Sequence, residues 1–164
     1  MPRILKIEDG KINFACKLDG CSHCCCGPFS GINKNLSNLE GRPFNEIVLT
    51  EEDYDRLMLH GRFDLVEEGH SEHLNKTYHK MILNEDGSCK AWVDGRCTIN
   101  SIKPTLCEAF PFYIDMFSGL CAIMCEGFRD ECITDMKECE PSLEAARKMY
   151  EFWTRFYRES DEHD

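Results

Sequence analysis

The chain has 164 residues, 30 acidic against 19 basic, for a formal net charge of -11. That balance argues against a nucleic-acid partner, because phosphate binding needs concentrated basic surface, and no apolar run approaches the length of a membrane span. Twelve cysteines are the departure from an otherwise ordinary composition, and a chain so enriched is stapled by disulfides or built around metal.

The opening stretch MPRILKIEDGKINFAC has neither a signal-peptide core nor a cleavage site after one, which points to a soluble cytoplasmic protein. In a reducing compartment, cysteine spacing indicates metal or redox chemistry more often than disulfides. Alternating apolar residues around Asp9-Gly10 predict a hairpin that delivers Phe14 and Cys16 to the first cysteine block. That block, CKLDGCSHCCC, holds Cys16, Cys21, Cys24, Cys25 and Cys26. Neighbouring thiols cannot readily bridge one another, which again favours metal. GPFSGINKNLSNLEGRPF has the composition of turns and reads as a long loop, a candidate lid over a site.

Ile47-Val48-Leu49 reads as a short strand ending at Thr50, whose side chain caps a helix opened by Glu51, Glu52 and Asp53 and running to about His60. Tyr78 to Leu83 reads as a strand, with His70, Ser71 and Asn75 in a polar connection before it. Asp86-Gly87 introduces the second cysteine block, GSCKAWVDGRCTINSIKPTLCEAFPFY. Within it Asp94-Gly95 turns the chain between Cys89 and Cys97, Pro104 opens a short helical turn carrying Cys107, and Pro111 limits that turn. Phe112 to Met116 and Leu120 to Met124 predict a hairpin turned at Ser118-Gly119, with Cys121 and Cys125 near its end. The last segment spaces Leu143, Ala146, Met149, Phe152, Trp153 and Phe156 on one face of a helix over about 141–159, capped by Ser142 after Pro141. Its aromatic stripe reads as core rather than as a ligand platform.

No linker or repeat divides the chain. The expectation is a single α+β domain over 1–164, with a core of about 14–128, short strands, cysteine-bearing loops and a C-terminal amphipathic helix, stapled by metal.

Thiolate sulfur is soft, and ligands a few residues apart on a turn converge on one ion or cluster. Cys16, Cys21 and Cys24, with four and then two intervening residues, meet that condition and share the spacing of a plant-type two-iron ferredoxin loop. His23 competes with these thiols as a donor, while His70, His73 and His79 define no site. Lys103 and Glu108, beside Cys97 and Cys107, read either as groups that tune a centre or as a surface ion pair. There is no Gly-rich phosphate loop, nucleophile elbow or clear acid/base pair, so any catalysis belongs to the bound centre.

The ordered set FAC, CSHCCC, VLTEED, GSC, GRCTI, KPTLCEAFPF and CEGF, from about Phe14 to Phe128, resembles the YkgJ-type CxxCxxCC family of zinc- or iron-chelating proteins. The resemblance implies a metal-chelating cluster with ligands at Cys16, Cys21, Cys24, Cys25, Cys89, Cys97, Cys107 and Cys125, and Cys121 is an extra candidate. The family also includes relatives of flagellin lysine-N-methylase. Lys103-Pro104 stands where the family has Arg-Pro, replacing a planar fork by a point charge. Eight thiolates exceed one tetrahedral ion, which implies two sites or one polynuclear centre. Paired and spare thiols favour an iron-sulfur cluster over zinc. Cys26, Cys132 and Cys139 read first as small buried apolar residues. The leading function is thus redox or metal handling with a redox or protein partner. The alternatives are a cluster-dependent group-transfer enzyme and a zinc-stapled partner-binding module.

Overall fold

The computed structural model describes residues 5–15, 46–123, 125 and 127–161, with side chains through 159. The first cysteine block, His23 and the candidate lid lie outside these residues. Asp9 and Gly10 both take positive φ, 49° and 72°, and join antiparallel β1 (Ile7–Glu8) to β2 (Lys11–Ile12), as the Asp-Gly signal requires. A third strand, β10 (Thr134–Asp135), pairs with β2. Beyond β2, Phe14 bridges to Phe128. The rings of Phe14, Phe112 and Phe128 interlock at 5.0 to 6.2 Å between centroids, and with Ile12, Ala109, Cys139, Ala145 and Ala146 they form one buried core.

A second core gathers on an antiparallel sheet of order β3-β5-β4, made of β3 (Val48–Leu49), β4 (Val66–Ser71) and β5 (Lys76–Met81). Side chains alternate across its faces. Ile47, Leu49 and Met81 meet Leu57 of α1 (Glu51–Leu59) on one side, while Val48 and Tyr78 meet Met149 and Phe152 of α3 (Glu140–Asp161) on the other. Thr50 caps α1 as expected. Its Oγ1 accepts from the Asp53 N–H and its own N–H donates to the Asp53 carboxylate, each at 3.1 Å.

Two expectations need correction. His70 and Ser71 end strand β4 rather than lying in a polar connection, and only Asn75, with φ of 49°, occupies the turn. The sequence VEEGHS lacks an apolar alternation because Gly69 leaves its place to the Tyr78 ring, where an added Cβ would come within 2.6 Å of Cζ. Helix α3 begins at Glu140, straight after a 3-10 turn over Met136–Cys139, so Ser142 lies inside its first turn and is not the cap. Pro141 is tolerated there because first-turn amides have no intrahelical acceptor. The aromatic stripe of α3 is core, with Met149 and Phe152 buried and Trp153 and Phe156 packed against them.

The chain is thus a small domain of mixed helix and sheet. No helix of the described residues is long and apolar enough to cross a membrane.

Candidate metal centre

Cys89 follows a tight turn in which the Ser88 N–H and hydroxyl both donate to Asp86 Oδ1, at 2.9 and 2.6 Å, and Asn84 Nδ2 donates to the Cys89 carbonyl at 3.3 Å. The side chain is buried. Burial pushes the thiol up, the Ala91 and Trp92 amides at its sulfur pull it down, and neighbouring Cys97 pushes it further up. Cys97 ends the hairpin of β6 (Trp92–Val93) and β7 (Arg96–Cys97), where Asp94 and Gly95 take φ of 51° and 75°. Its cross-strand partner is Trp92.

Cys107 lies on α2 (Thr105–Ala109), which starts after Pro104. Asp53 fixes that helix. Fully buried, its carboxylate accepts from the Thr105 N–H at 3.1 Å, from Thr105 Oγ1 at 2.8 Å and from Arg56 Nη2 at 2.7 Å. Arg56 then donates to the carbonyls of Ile102 (3.3 Å) and Lys103 (3.0 Å). The segment between Cys97 and Cys107 is therefore clamped to α1. In sequence Asp53 shows only as a first-turn acid, and the T-x-x-D box it forms with Thr50 is the signal of its wider role.

Lys103 Nζ meets Glu108 Oε2 at 3.0 Å, each side chain about one-third exposed. Burial works against this ammonium, but the Glu108 hydrogen bond and charge, with Cys107 and Cys97 close by, leave it above the usual lysine range. The ion pair and the closeness to two candidate ligands thus coexist. Cys89, Cys97 and Cys107 come from three elements onto one core, within electrostatic reach of one another or of Lys103.

The remaining candidates lie elsewhere. Cys121 is directly opposite Tyr113 on the hairpin of β8 (Phe112–Asp115) and β9 (Gly119–Ala122). Burial and the hydrogen bond and charge of Cys121 raise the Tyr113 phenol above its ordinary value. Cys125 packs against the phenylalanine core, and its Sγ accepts from the Gly127 N–H at 3.4 Å. Gly127 O in turn accepts from the N–H of Ala15, the residue before Cys16, at 3.0 Å. No side chain fits at Gly127, since a Cβ would lie 2.5 Å from Phe14 Cε2 and 2.8 Å from Ala15 O.

Cys139 is buried in the phenylalanine core, where burial and then Glu138 push its thiol up. Cys132 Sγ approaches the Lys6 carbonyl at 3.7 Å. His79 stacks on Tyr54 at 3.8 Å, and His70 and His73 are exposed.

Among the described residues, no three His, Cys, Asp or Glu side chains form a group able to hold a metal ion. The described cysteines form no disulfide. Cys16, Cys21, Cys24 and Cys25 lie outside the described residues. The donors present still suit a soft metal: sulfur with backbone N–H groups directed at it, which stabilise the thiolate. Comparison of the chain with family models, curated proteins and solved structures gives no match.

Proposed function

We propose that this chain is a cysteine-cluster metal protein of the YkgJ type, holding an iron-sulfur centre for redox or metal handling. The observation that supports the reading is that Cys89, Cys97 and Cys107 pack on one core, with Cys97 near Cys89 and Lys103 near Cys97 and Cys107, although these three alone form no group able to hold a metal ion. A buried thiolate is costly unless charge and hydrogen bonds compensate it. At Cys89 the Ala91 and Trp92 amides offset part of that cost, and a bound cation would offset the rest.

The residues that would hold the group are Cys89, Cys97 and Cys107 together with Cys16, Cys21, Cys24 and Cys25. Cys125 joins them because Ala15 docks on Gly127, two residues from Cys125 and one before Cys16. Cys121, opposite Tyr113 across the β8 and β9 hairpin, would be the extra ligand. When bound, such a centre supplies one-electron transfer and also staples the fold. Thiolate ligands persist in a reducing compartment, so this reading carries a cytoplasmic setting with it.

The test is iron, zinc and acid-labile sulfide per chain, measured on protein purified without oxygen. Several irons with labile sulfide are expected, falling sharply in Cys97→Ser and unchanged in Cys139→Ala. Zinc without iron moves the reading to a stapled partner-binding module, and absence of both metals sinks it. With iron present, reversible one-electron titration supports the carrier, whereas a substrate-dependent spectral change supports the group-transfer enzyme.

A further inference from the structure

We propose that the outer edge of β4 takes up an extended, Lys- or Arg-bearing strand of a partner protein as a fourth strand of the β3-β5-β4 sheet. Ile82 N–H donates to Leu65 O at 2.8 Å, and Val66 lies opposite Met81 in the β4 and β5 register. By alternation of an antiparallel ladder, Glu67, Gly69 and Ser71 bond to β5, while the backbone groups of Glu68 and His70 and the carbonyl of Val66 point away from it. The Val66 N–H is already used by Phe63 O. Among the described residues, nothing pairs with the outward N–H and C=O of Glu68 and His70.

Natural edges are protected by brevity, bulges, proline or charged side chains, and the charges on this edge, Glu67 and Glu68, are of one sign, which disfavours a like edge but not a basic strand. This one has six residues in unbroken register, with neither Pro nor Lys. The faces over β3 and β5 are taken by α1 and α3, while Glu67, Glu68 and His70 of β4 stand exposed beside its free edge.

Its side chains select the occupant. Glu67 is 47% exposed and pairs at 3.9 Å with Lys80, which also meets Glu46 at 3.3 Å, while Glu68 and Glu72 are exposed. A two-fold antiparallel pairing of two copies centred on Glu68 would set that carboxylate against itself, which is unfavourable. A basic strand gains the same backbone hydrogen bonds together with charge complementarity.

The test uses the full chain with two short synthetic peptides, one alternating Lys and Val and the other Glu and Val, followed by fluorescence anisotropy and amide exchange. The Lys peptide is expected to bind and to slow exchange at Glu68 and His70, and the Glu peptide not to bind. Glu68→Pro removes an N–H that the β5 ladder does not use. It should weaken binding by up to about tenfold, the order of losing one backbone hydrogen bond. Should that variant fail to fold by circular dichroism, Glu67→Lys with Glu68→Lys decides, and is expected to exchange the preference to the Glu peptide. Equal binding of both peptides, no binding of either, unchanged binding by a folded Glu68→Pro, or self-association of the chain alone that Glu68→Pro abolishes would each overturn the proposal.

Discussion

Asp53 is a buried carboxylate that holds two helix starts at once, because one side chain accepts from Thr50 at the head of α1 and from Thr105 at the head of α2. Its countercharge is Arg56, about one-third exposed, so solvent screens part of the pair. Removing one partner of a buried pair costs about 3 to 5 kcal/mol, and the screening places Asp53→Ala near the lower end, at roughly 3 kcal/mol. Thr50→Ala, which loses a cap alone, should cost about 1 kcal/mol. Urea unfolding of both variants checks the difference. The Asp53 change should also lower metal content, because the clamp places Cys107. Gly127→Ala makes a second local test. The Phe14 ring and the Ala15 carbonyl must both give way to the new methyl, and overpacking of this kind costs about 1 to 3 kcal/mol. Equal stability of Gly127→Ala and the parent would show that the Ala15 and Cys125 segments are not held together as described.

Short hairpins carry Cys97 and Cys121, and two-residue strands such as β6 and β7 have little stability alone. If the proposed centre staples these elements, a chelator should speed amide exchange from Cys89 to Cys125, while β5, paired on both sides, stays protected. Uniform protection in the stripped protein would show that the thiolates do not support these elements. The hairpins were legible in the sequence because Asp-Gly turns and the positive φ they supply are local chemistry. The Thr50 cap and the stripe of α3 were legible for the same reason. Strand β4 was not, since its pattern is set by a ring from β5 lying over Gly69, and β10 is too short to show any period. For the site, the residue types were legible but their grouping was not. Asp53 and Thr105 are 52 positions apart, and the Tyr113 to Cys121 contact depends on hairpin register.

At the scale of the whole molecule, buried thiols make stability depend on alkaline pH, and the bound metal should change that dependence. Cys89 and Cys139 are both raised above the ordinary thiol value of 9.0, chiefly by burial. A raised folded-state pKa means that the native chain keeps its proton where the unfolded chain has lost it. The associated stability is fully present below 9.0 and is lost as pH rises through the raised values. Metal-free protein should thus show urea midpoints that fall above that pH, and Cys139→Ala should remove part of the fall. If Cys89 is a ligand as proposed, metal-loaded protein holds it as a bound thiolate, and the alkaline loss should shrink to the Cys139 share. A different loss then opens on the acid side, where protons compete with metal for sulfur. The comparison needs only urea midpoints against pH for loaded and stripped protein. If the two alkaline limbs superimpose and Cys139→Ala shifts both equally, Cys89 is not a ligand, and the centre must be assembled without it.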